Sequence, residues 1–221
     1  MAKPIALICA YNEEKHVQKT IDKTFCYVKN IVVVNDGSSD NTLNEIKKTK
    51  AILLNHKTNK GKGQAIKTGI KYCIKNKYDP IIFLDADGQH DPSEIPKFLK
   101  EIDSGIDIVI GTRQKRKSSM PLHRRMTNGI SSRLLSLAAG TKIKDTQSGY
   151  RAIKKEVLEN ITLVSKRYDL ESEILIKAAK NKYKIRQIPI RVIYDTETST
   201  IHPIKDTFRF FRVLYRAVFE W

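Results

Sequence analysis

The chain has 221 residues, of which 40% are hydrophobic, and 41 lysines and arginines against 24 aspartates and glutamates give a formal net charge of +17. This composition suits a folded α/β protein and excludes a disordered or low-complexity chain. No apolar run approaches the roughly 18 residues that a membrane-spanning helix needs. The cysteines have no metal-ligand spacing, so we expect buried thiols in a reducing compartment, at Cys9, Cys26 and Cys73.

The first 112 residues alternate short apolar runs with helical stretches. Runs rich in β-branched residues predict buried strands at 5–9, 31–34, 51–54, 81–84 and 106–110. The stretches between them predict helices at 13–27, 41–48, 63–75 and 94–102. This alternation predicts a mainly parallel sheet with helices on both faces, and ligands of such sheets bind beyond the carboxyl ends of the strands. The charges of Glu13 and Glu14, directly after the first apolar run and Asn12, favour a buried first strand over a signal peptide, and therefore a cytoplasmic protein.

After residue 112 the pattern changes. A basic loop precedes a predicted helix at 127–139, followed by a strand at 150–153, helices at 155–160 and 170–180, and a strand at 184–192. Residues 203–221 read as one amphipathic helix that combines aromatic residues with arginines. That combination suits contact with an anionic membrane surface, although a helix packed on the domain would look similar. We expect one domain over 1–202, with a donor half at 1–112 and an acceptor half at 113–202, and a tail at 203–221.

The excess of positive charge favours encounters with any polyanion, whether nucleic acid, anionic lipid or a phosphate-bearing substrate. It is concentrated at 113–117, at 123–125 and near the end of the chain. A nucleic-acid-binding module would interleave aromatic and basic residues on a sheet face or on a groove-reading helix. The clusters lie instead on predicted loops and a terminal helix, so we expect no nucleic-acid partner.

Polar and acidic residues follow the first two predicted strands. Asn12 or Asp40 could cap the next helix, with Glu14 in a first turn. Capping does not explain why acids follow two successive strands, where a ligand pocket is expected. The segment 59–63, which opens the third helix, lacks the P-loop and dinucleotide-binding spacings, and suits either an anion contact or a tight glycine turn.

The strongest signal is the acidic turn that follows the fourth predicted strand. Asp85 and Asp87 are separated by one residue and enter a turn at Gly88. Two unpaired anions so close repel each other, which raises their pKa values, and a divalent cation relieves this cost. Hard oxygen ligands suit Mg²⁺ or Mn²⁺. Asp91 is explained as the cap of the following helix, and His90 receives no role.

Seven stretches together resemble the inverting family-2 glycosyltransferases of GT-A fold, and most of all the dolichyl- or polyprenyl-phosphate sugar synthases such as dolichol-phosphate mannosyltransferase. They are AYNE at 10–13, VNDGS at 34–38, Asn59 with Gly61, Gly63 and Ala65, DADGQ at 85–89, GTR at 111–113, DTQSGYR at 145–151 and PIKD at 203–206. The resemblance covers nearly the whole chain. It implies a metal-dependent transfer of mannose or glucose from a GDP- or UDP-linked sugar to dolichyl or polyprenyl phosphate.

The resemblance also implies roles for individual residues. The donor nucleotide would be bound by Ala10, Tyr11, Glu13, Asp36, Lys62, Asp85 and Ala86. The ion on the diphosphate, Mg²⁺ or Mn²⁺, would be bound by Asp85, Asp87 and Gln89. The acceptor phosphate would be bound by Arg113, Arg124, Arg125, Ser131 and Ser132. Asp87 and Arg113 would be the catalytic residues.

The sequence departs from the family pattern at two places. Asn35 stands where many relatives have a first aspartate, and residues 194–200 replace a basic Arg-x-Gly-x-Ser-Lys segment, for which His202 or Lys205 could substitute. An alternative within the family is a hydroxyl acceptor, which would need a base such as Asp169 or Glu171. Both acids are better explained as residues of a helix first turn. We expect a peripheral protein at the cytoplasmic face of the membrane.

Overall fold

The computed structural model describes residues 3–113, 148–165, 169–191 and 193. Strands and helices alternate along the described chain as the apolar runs predict. The strands are β1 (Ile5–Ala10), β2 (Ile31–Asn35), β3 (Ile52–Asn55), β4 (Ile81–Asp85), β5 (Ile108–Arg113), β6 (Arg151–Ile153) and β7 (Ile185–Ile190). The helices are α1 (Val17–Phe25), α2 (Thr42–Lys47), α3 (Lys62–Lys75), a 3₁₀ turn (Pro92–Glu94), α4 (Ile95–Asp103), α5 (Lys155–Asn160) and α6 (Asp169–Lys180).

The described strands form one seven-stranded sheet in the order β3-β2-β1-β4-β6-β5-β7. β6 runs antiparallel to both of its neighbours, and every other pair is parallel. The register places Ala10 beside Asn35 and Cys9 beside Asp85. The carboxyl ends of β1, β2 and β4 therefore meet at one edge of the sheet. Because β6 runs the other way, the residues just before Arg151 lie at that same edge.

Both faces of the sheet are covered by helices, which explains why its central strands read as continuous apolar runs. Successive side chains of a strand point to opposite faces. Leu7 lies in a cluster with α3 and α6, whereas Ile8 lies in a cluster with α1 and α4. A Cβ on Gly69 of α3 would overlap the side chain of Leu7. This close packing fixes α3, and with it Lys62 at its first turn, against the centre of the sheet.

The predicted parallel α/β sheet is confirmed, and most predicted elements agree with the structure within a few residues. The main difference is α1, which begins at Val17 rather than at residue 13. Asn12 has a positive φ of 57°, and its side chain accepts a hydrogen bond from the Ser39 N–H at 2.9 Å. Of the two candidate caps, Asn12 does not cap a helix, because its side chain joins two loops. The predicted helices at 127–139 and 203–221 lie outside the described residues.

Two further sequence expectations concern cysteines and membrane crossing. Cys73 is buried and Cys9 is partly buried, but Cys26 is exposed, so the prediction of three buried thiols is wrong for Cys26. Over the described ranges, no helix has both the length and the apolar character that crossing a membrane requires.

Candidate active site

Three charged side chains lie together where β4, α3 and α6 meet. Asp85 is the last residue of β4, and its Oδ1 lies 2.7 Å from Lys62 Nζ. The same ammonium lies 3.1 Å from Oε1 of Glu171, in the first turn of α6. Burial alone would lower the pKa of Lys62, but the two carboxylates outweigh burial and the pKa is raised. Lys62 therefore places a positive charge between two carboxylates at the carboxyl edge of the sheet.

The position of Asp85 depends on Gly149 and His90, neither of which was among the residues predicted to bind the metal ion. A Cβ on Gly149 would lie only 2.6 Å from Asp85 Oδ2, so this carboxylate fits only against a glycine. The N–H of Asp85 donates to His90 Nδ1 at 3.1 Å, and the buried His90 ring stacks on Tyr150 with 5.0 Å between the ring centres. His90, to which the sequence assigned no role, therefore supports the backbone of Asp85.

Asp87 follows in the turn after β4 and is half-buried, like Gln89. Its Oδ1 accepts a hydrogen bond from the Gln89 N–H at 2.9 Å, and Gly88 completes the turn with a φ of 75°. The pKa of Asp87 is raised, first by burial and then by the neighbouring charge of Asp85. The end of β4 and the turn after it therefore carry two neighbouring carboxylates, and the charge of Asp85 contributes to the raised pKa of Asp87.

This donor set fits a divalent cation that shares its coordination with a ligand. Within the described ranges, no three carboxylate, histidine or cysteine side chains form a metal-binding cluster. Asp85 and Asp87 would therefore supply part of the coordination, with Gln89 as a further oxygen donor. Oxygen donors of this kind suit Mg²⁺ and Mn²⁺, and an incomplete protein set leaves positions for phosphate oxygens.

Asp36, at the end of β2, is buried and makes several hydrogen bonds within the protein. Its Oδ1 accepts from His56 Nδ1 at 2.6 Å and from the Lys60 N–H at 3.0 Å. Its Oδ2 accepts from the Gly61 N–H at 2.8 Å. Asp36 thus anchors the loop that opens α3. The φ of 92° at Gly61 fits the tight-turn interpretation of segment 59–63. The predicted contact of Asp36 with the nucleotide stays a prediction.

The other residues predicted to bind the nucleotide lie at the same edge of the sheet. Ala10 and Ala86 are buried at the ends of β1 and β4, whereas 47% of Tyr11 is exposed. Glu13 is partly buried, and its N–H donates to Thr42 Oγ1 at 2.7 Å. The structure therefore brings the donor residues to one edge, with Tyr11 open to solvent there. Their contacts with a nucleotide remain predictions.

The two loops after β1 and β2 are tied to each other by side-chain hydrogen bonds. Asp40 Oδ1 accepts from the Thr42 N–H at 3.0 Å, next to the start of α2, and its Oδ2 accepts from the Glu14 N–H at 3.2 Å. Asp40 therefore supports the start of α2, although the residue at the cap position is Asn41. Asp91 accepts from the Ser93 N–H at 3.0 Å, which confirms that it caps the helical segment that follows it, beginning with the 3₁₀ turn Pro92–Glu94.

The predicted acceptor residues are only partly described. Arg113 ends β5, and because β5 is parallel to β4, its backbone lies at the carboxyl edge of the sheet. Arg124, Arg125, Ser131 and Ser132 lie outside the described residues, as do His202 and Lys205. The site predicted to bind the acceptor phosphate therefore stays a prediction.

Glu171 is the site residue whose importance the sequence did not reveal. The acids at 169 and 171 do lie in the first turn of α6, as predicted. The carboxylate of Glu171 additionally contacts Lys62, and its carbonyl accepts from Arg151 Nη1 at 2.7 Å. The buried Arg151 also donates from Nε to the Ser148 carbonyl at 2.7 Å, which ties the start of β6 to the start of α6. No local pattern separates Glu171 from an ordinary first-turn acid, because its partner lies far away in sequence.

A mainly parallel sheet with one antiparallel strand inserted beside β4, and an acidic turn following β4, is the arrangement expected of the GT-A fold. Residues 5–162 match the family model described as Glycosyl transferase family 2. The chain belongs to this family and is a glycosyltransferase, as the resemblance predicted.

Known relatives and solved structures agree with this assignment. A UDP-N-acetylglucosamine–dolichyl-phosphate N-acetylglucosaminyltransferase of Methanococcus voltae is 35% identical, over 85% of this chain and 84% of its own length. A polyprenol monophosphomannose synthase of Mycolicibacterium smegmatis is 29% identical, over 85% of this chain and 76% of its own. Glucosyl-3-phosphoglycerate synthase of Mycobacterium tuberculosis, solved with Mg²⁺ and UDP, has a TM-score of 0.76 at 18% identity, over 98% of this chain and 78% of that one. The last comparison concerns the fold alone.

Proposed function

We propose that this enzyme transfers a hexose, with inversion and with the help of a divalent metal ion, from a nucleotide sugar to dolichyl or polyprenyl phosphate. The observation that carries the proposal is the carboxylate pair after β4, in which Asp85 contacts Lys62 and Asp87 has a raised pKa. The relatives named above carry different sugars in their names, so the sugar is the least constrained part of the proposal. GDP-linked and UDP-linked donors are both compatible with it.

At the donor side, the difficulty of the reaction is the negative charge that appears on the departing nucleoside diphosphate. Asp85, Asp87 and Gln89 would bind a Mg²⁺ or Mn²⁺ ion, which neutralises this charge without a proton donor. Lys62 adds a positive charge at the same edge, where Asp85 and Glu171 raise its pKa above the ordinary value. Tyr11, exposed at the rim, is available to contact the nucleoside.

At the acceptor side, a lipid phosphate is already an anion at neutral pH, so the attack needs no general base. It needs cations that bring a second phosphate close to the donor, and guanidinium groups bind phosphate in a bidentate manner without losing their charge. We assign this task to Arg113, Arg124 and Arg125, with Ser131 and Ser132. Attack on the face of the sugar opposite the diphosphate inverts the anomeric centre.

A hydroxyl acceptor is less well supported by the described residues. It would need a base, and of the two candidates Glu171 is paired with Lys62 at 3.1 Å. A carboxylate oxygen that contacts the Lys62 ammonium is not at the same time placed against an acceptor hydroxyl. This favours an acceptor that is already ionised.

The same proposal places the protein at the cytoplasmic face of the membrane, where a prenyl acceptor is embedded, with residues 203–221 in contact with anionic lipid. Flotation with vesicles of neutral and of anionic lipid tests this step. We expect the full chain to float with anionic vesicles and a chain ending at residue 202 to bind them more weakly. Equal absence of binding for both chains would contradict the membrane contact.

The activity is tested with radiolabelled GDP- and UDP-sugars, Mg²⁺ or Mn²⁺, and dolichyl phosphate, followed by extraction of labelled lipid. We expect one donor to label the lipid, chelation of the metal to stop the reaction, and Asp87→Asn to lower the rate by at least about 100-fold, since metal neutralisation is worth several kcal/mol. Asp91→Asn is the matched control, because Asp91 caps the next turn and an asparagine can do the same. Full activity of Asp87→Asn, or transfer to free dolichol rather than its phosphate, would contradict the proposal.

A further inference from the structure

The Lys62 ammonium lies between two carboxylates that belong to different parts of the fold. It is 2.7 Å from Asp85 Oδ1 and 3.1 Å from Glu171 Oε1. The three side chains are largely shielded from solvent, with 23%, 26% and 11% of their surfaces exposed. Lys62, Asp85 and Glu171 form one cluster. Its one positive and two negative charges sum to a net charge of −1.

A divalent ion bound to Asp85 would compete with Lys62 for the same carboxylate. Two cations on one carboxylate repel each other strongly in a partly buried site. A lysine without a second partner would either weaken metal binding or be left as an unpaired charge. Glu171 removes this difficulty, because its Oε1 already contacts the ammonium at 3.1 Å.

The surroundings of the cluster allow a small movement of the ammonium. A cavity of about 20 Å³ is lined by all three charged residues together with Cys9 and Gly149. A volume of this size accommodates about one water molecule, and therefore a shift of one ammonium group. The backbone of Glu171 is meanwhile fixed by the hydrogen bond from Arg151 to its carbonyl.

We propose that Lys62 is a counter-ion shared by Asp85 and Glu171: it neutralises Asp85 in the metal-free enzyme and is retained by Glu171 when a metal ion binds Asp85. Lys62 and Glu171 are then positioning residues that set the affinity of the metal site. This inference rests on the proposed metal dependence. It adds a role for Glu171, whose carboxylate takes no direct part in the transfer.

The proposal predicts that metal affinity follows the net charge of the cluster. Lys62→Met removes the competing cation and makes the cluster −2, so Mn²⁺ should bind about tenfold more tightly. Glu171→Gln removes the second partner of the ammonium and makes the cluster neutral, so Mn²⁺ should bind about tenfold more weakly. The double variant, Lys62→Met with Glu171→Gln, has the wild-type net charge of −1 in this cluster. It should therefore bind Mn²⁺ about as tightly as the wild type does. A purely structural role would instead weaken binding in all three variants.

The experiment is a Mn²⁺ titration of the full chain, followed by the electron paramagnetic resonance signal of free Mn²⁺, alone and with UDP or GDP. Lys154→Met is the matched control, because Lys154 pairs with Asp107 at 2.9 Å away from this cluster and should leave the affinity unchanged. Circular dichroism verifies that each variant is folded. Opposite shifts for Lys62→Met and Glu171→Gln support the proposal, and shifts of the same sign, or none, overturn it. If the wild type binds no Mn²⁺ under any of these conditions, the proposed metal dependence fails first and this inference fails with it.

Discussion

The ends of β2 and β4 place an aspartate at the same edge of the sheet and use it in different ways. Asp36, just after β2, is buried and accepts hydrogen bonds from His56, from the Lys60 N–H and from the Gly61 N–H. Asp85, the last residue of β4, is partly exposed, and its Oδ1 contacts the ammonium of Lys62. The residue type and the topological position are nearly the same, but the partners differ.

The difference predicts which of the two carboxylates can exchange its protein partners for a metal ion. Backbone N–H groups are fixed by the fold, so a carboxylate that they satisfy is part of the framework, and removing it leaves buried donors without partners. An ammonium on a flexible side chain can move away when a stronger cation arrives. Asp36 therefore anchors the loop in front of α3, whereas Asp85 is the carboxylate for which we propose an exchange between Lys62 and a metal ion.

Among the variants that test the difference between Asp36 and Asp85, Gly149→Ala is expected to have the largest effect. The new Cβ would lie 2.6 Å from Asp85 Oδ2, so the carboxylate must move. Misplacement of a catalytic group by about 1 Å costs on the order of 100-fold in rate, which we expect for kcat/KM with the labelled donor. Gly105→Ala is the control: its Cβ meets nothing within 4 Å, but its φ is 93°. It should lose about 1 kcal/mol of stability and keep its activity. Similar activity losses in the two variants would contradict the role given to Gly149.

A smaller effect, on stability, is expected from Asp36→Asn. An amide nitrogen cannot accept a hydrogen bond, so either the Gly61 N–H or the donors at His56 and Lys60 lose their partner. An unsatisfied buried donor costs about 2 kcal/mol, which chemical denaturation of the ligand-free protein would measure. Asp22→Asn, at an exposed position of α1, should leave the free energy of unfolding unchanged. Wild-type stability combined with a raised KM for the donor would show that Asp36 is a ligand contact rather than an anchor.

The sequence was sufficient to predict the sheet and the acidic turn, because both are local patterns. Each central strand is buried on both faces, so it appears as an uninterrupted apolar run between polar loops. Asp85 and Asp87 follow directly after such a run, where a parallel sheet places its ligands. Charge repulsion between two neighbouring acids already indicated a cation, whatever the rest of the chain contained.

The contacts that shape the site could not be predicted, because they join residues far apart in sequence. Asn12 looks like a helix cap and instead bonds the loop after β2. Glu171 looks like a first-turn acid, and nothing nearby in sequence indicates that α6 brings it to Lys62. Gly149 belongs to a stretch typical of the family, but only the register of β6 against β4 shows that it lies against Asp85.

The smallest effect is expected from Glu173→Gln, which tests whether another framework carboxylate behaves like Asp36. Glu173 of α6 is fully buried and accepts from the N–H groups of Val164 and Ser165, both at 2.8 Å, and from Lys177 Nζ at 2.7 Å. Burial alone would raise the pKa of Glu173, but the bonds from Lys177 and the two N–H groups lower it below the ordinary value of 4.5. A carboxyl with a lowered pKa in the folded state stabilises the fold above its unfolded-state pKa, and this contribution is lost as the pH falls towards the lower, folded-state value.

Glu173→Gln should therefore lose about 1.5 kcal/mol at pH 7, and the difference from the wild type should shrink as the pH falls below about 4.5. Urea denaturation at pH 7 and at a pH below about 4.5 measures this difference in the free energy of unfolding. The value of kcat/KM at pH 7 is the second readout. Glu159→Gln, which removes the more exposed pair with Lys155, should cost only about 0.3–0.5 kcal/mol. Because Glu173 lies on the same helix as Glu171, unchanged activity would show that α6 carries one carboxylate for the fold and another for the site. A loss of activity much larger than the loss of stability would instead mean that the two carboxylates act as one unit, and the contrast drawn between the ends of β2 and β4 would not extend to α6.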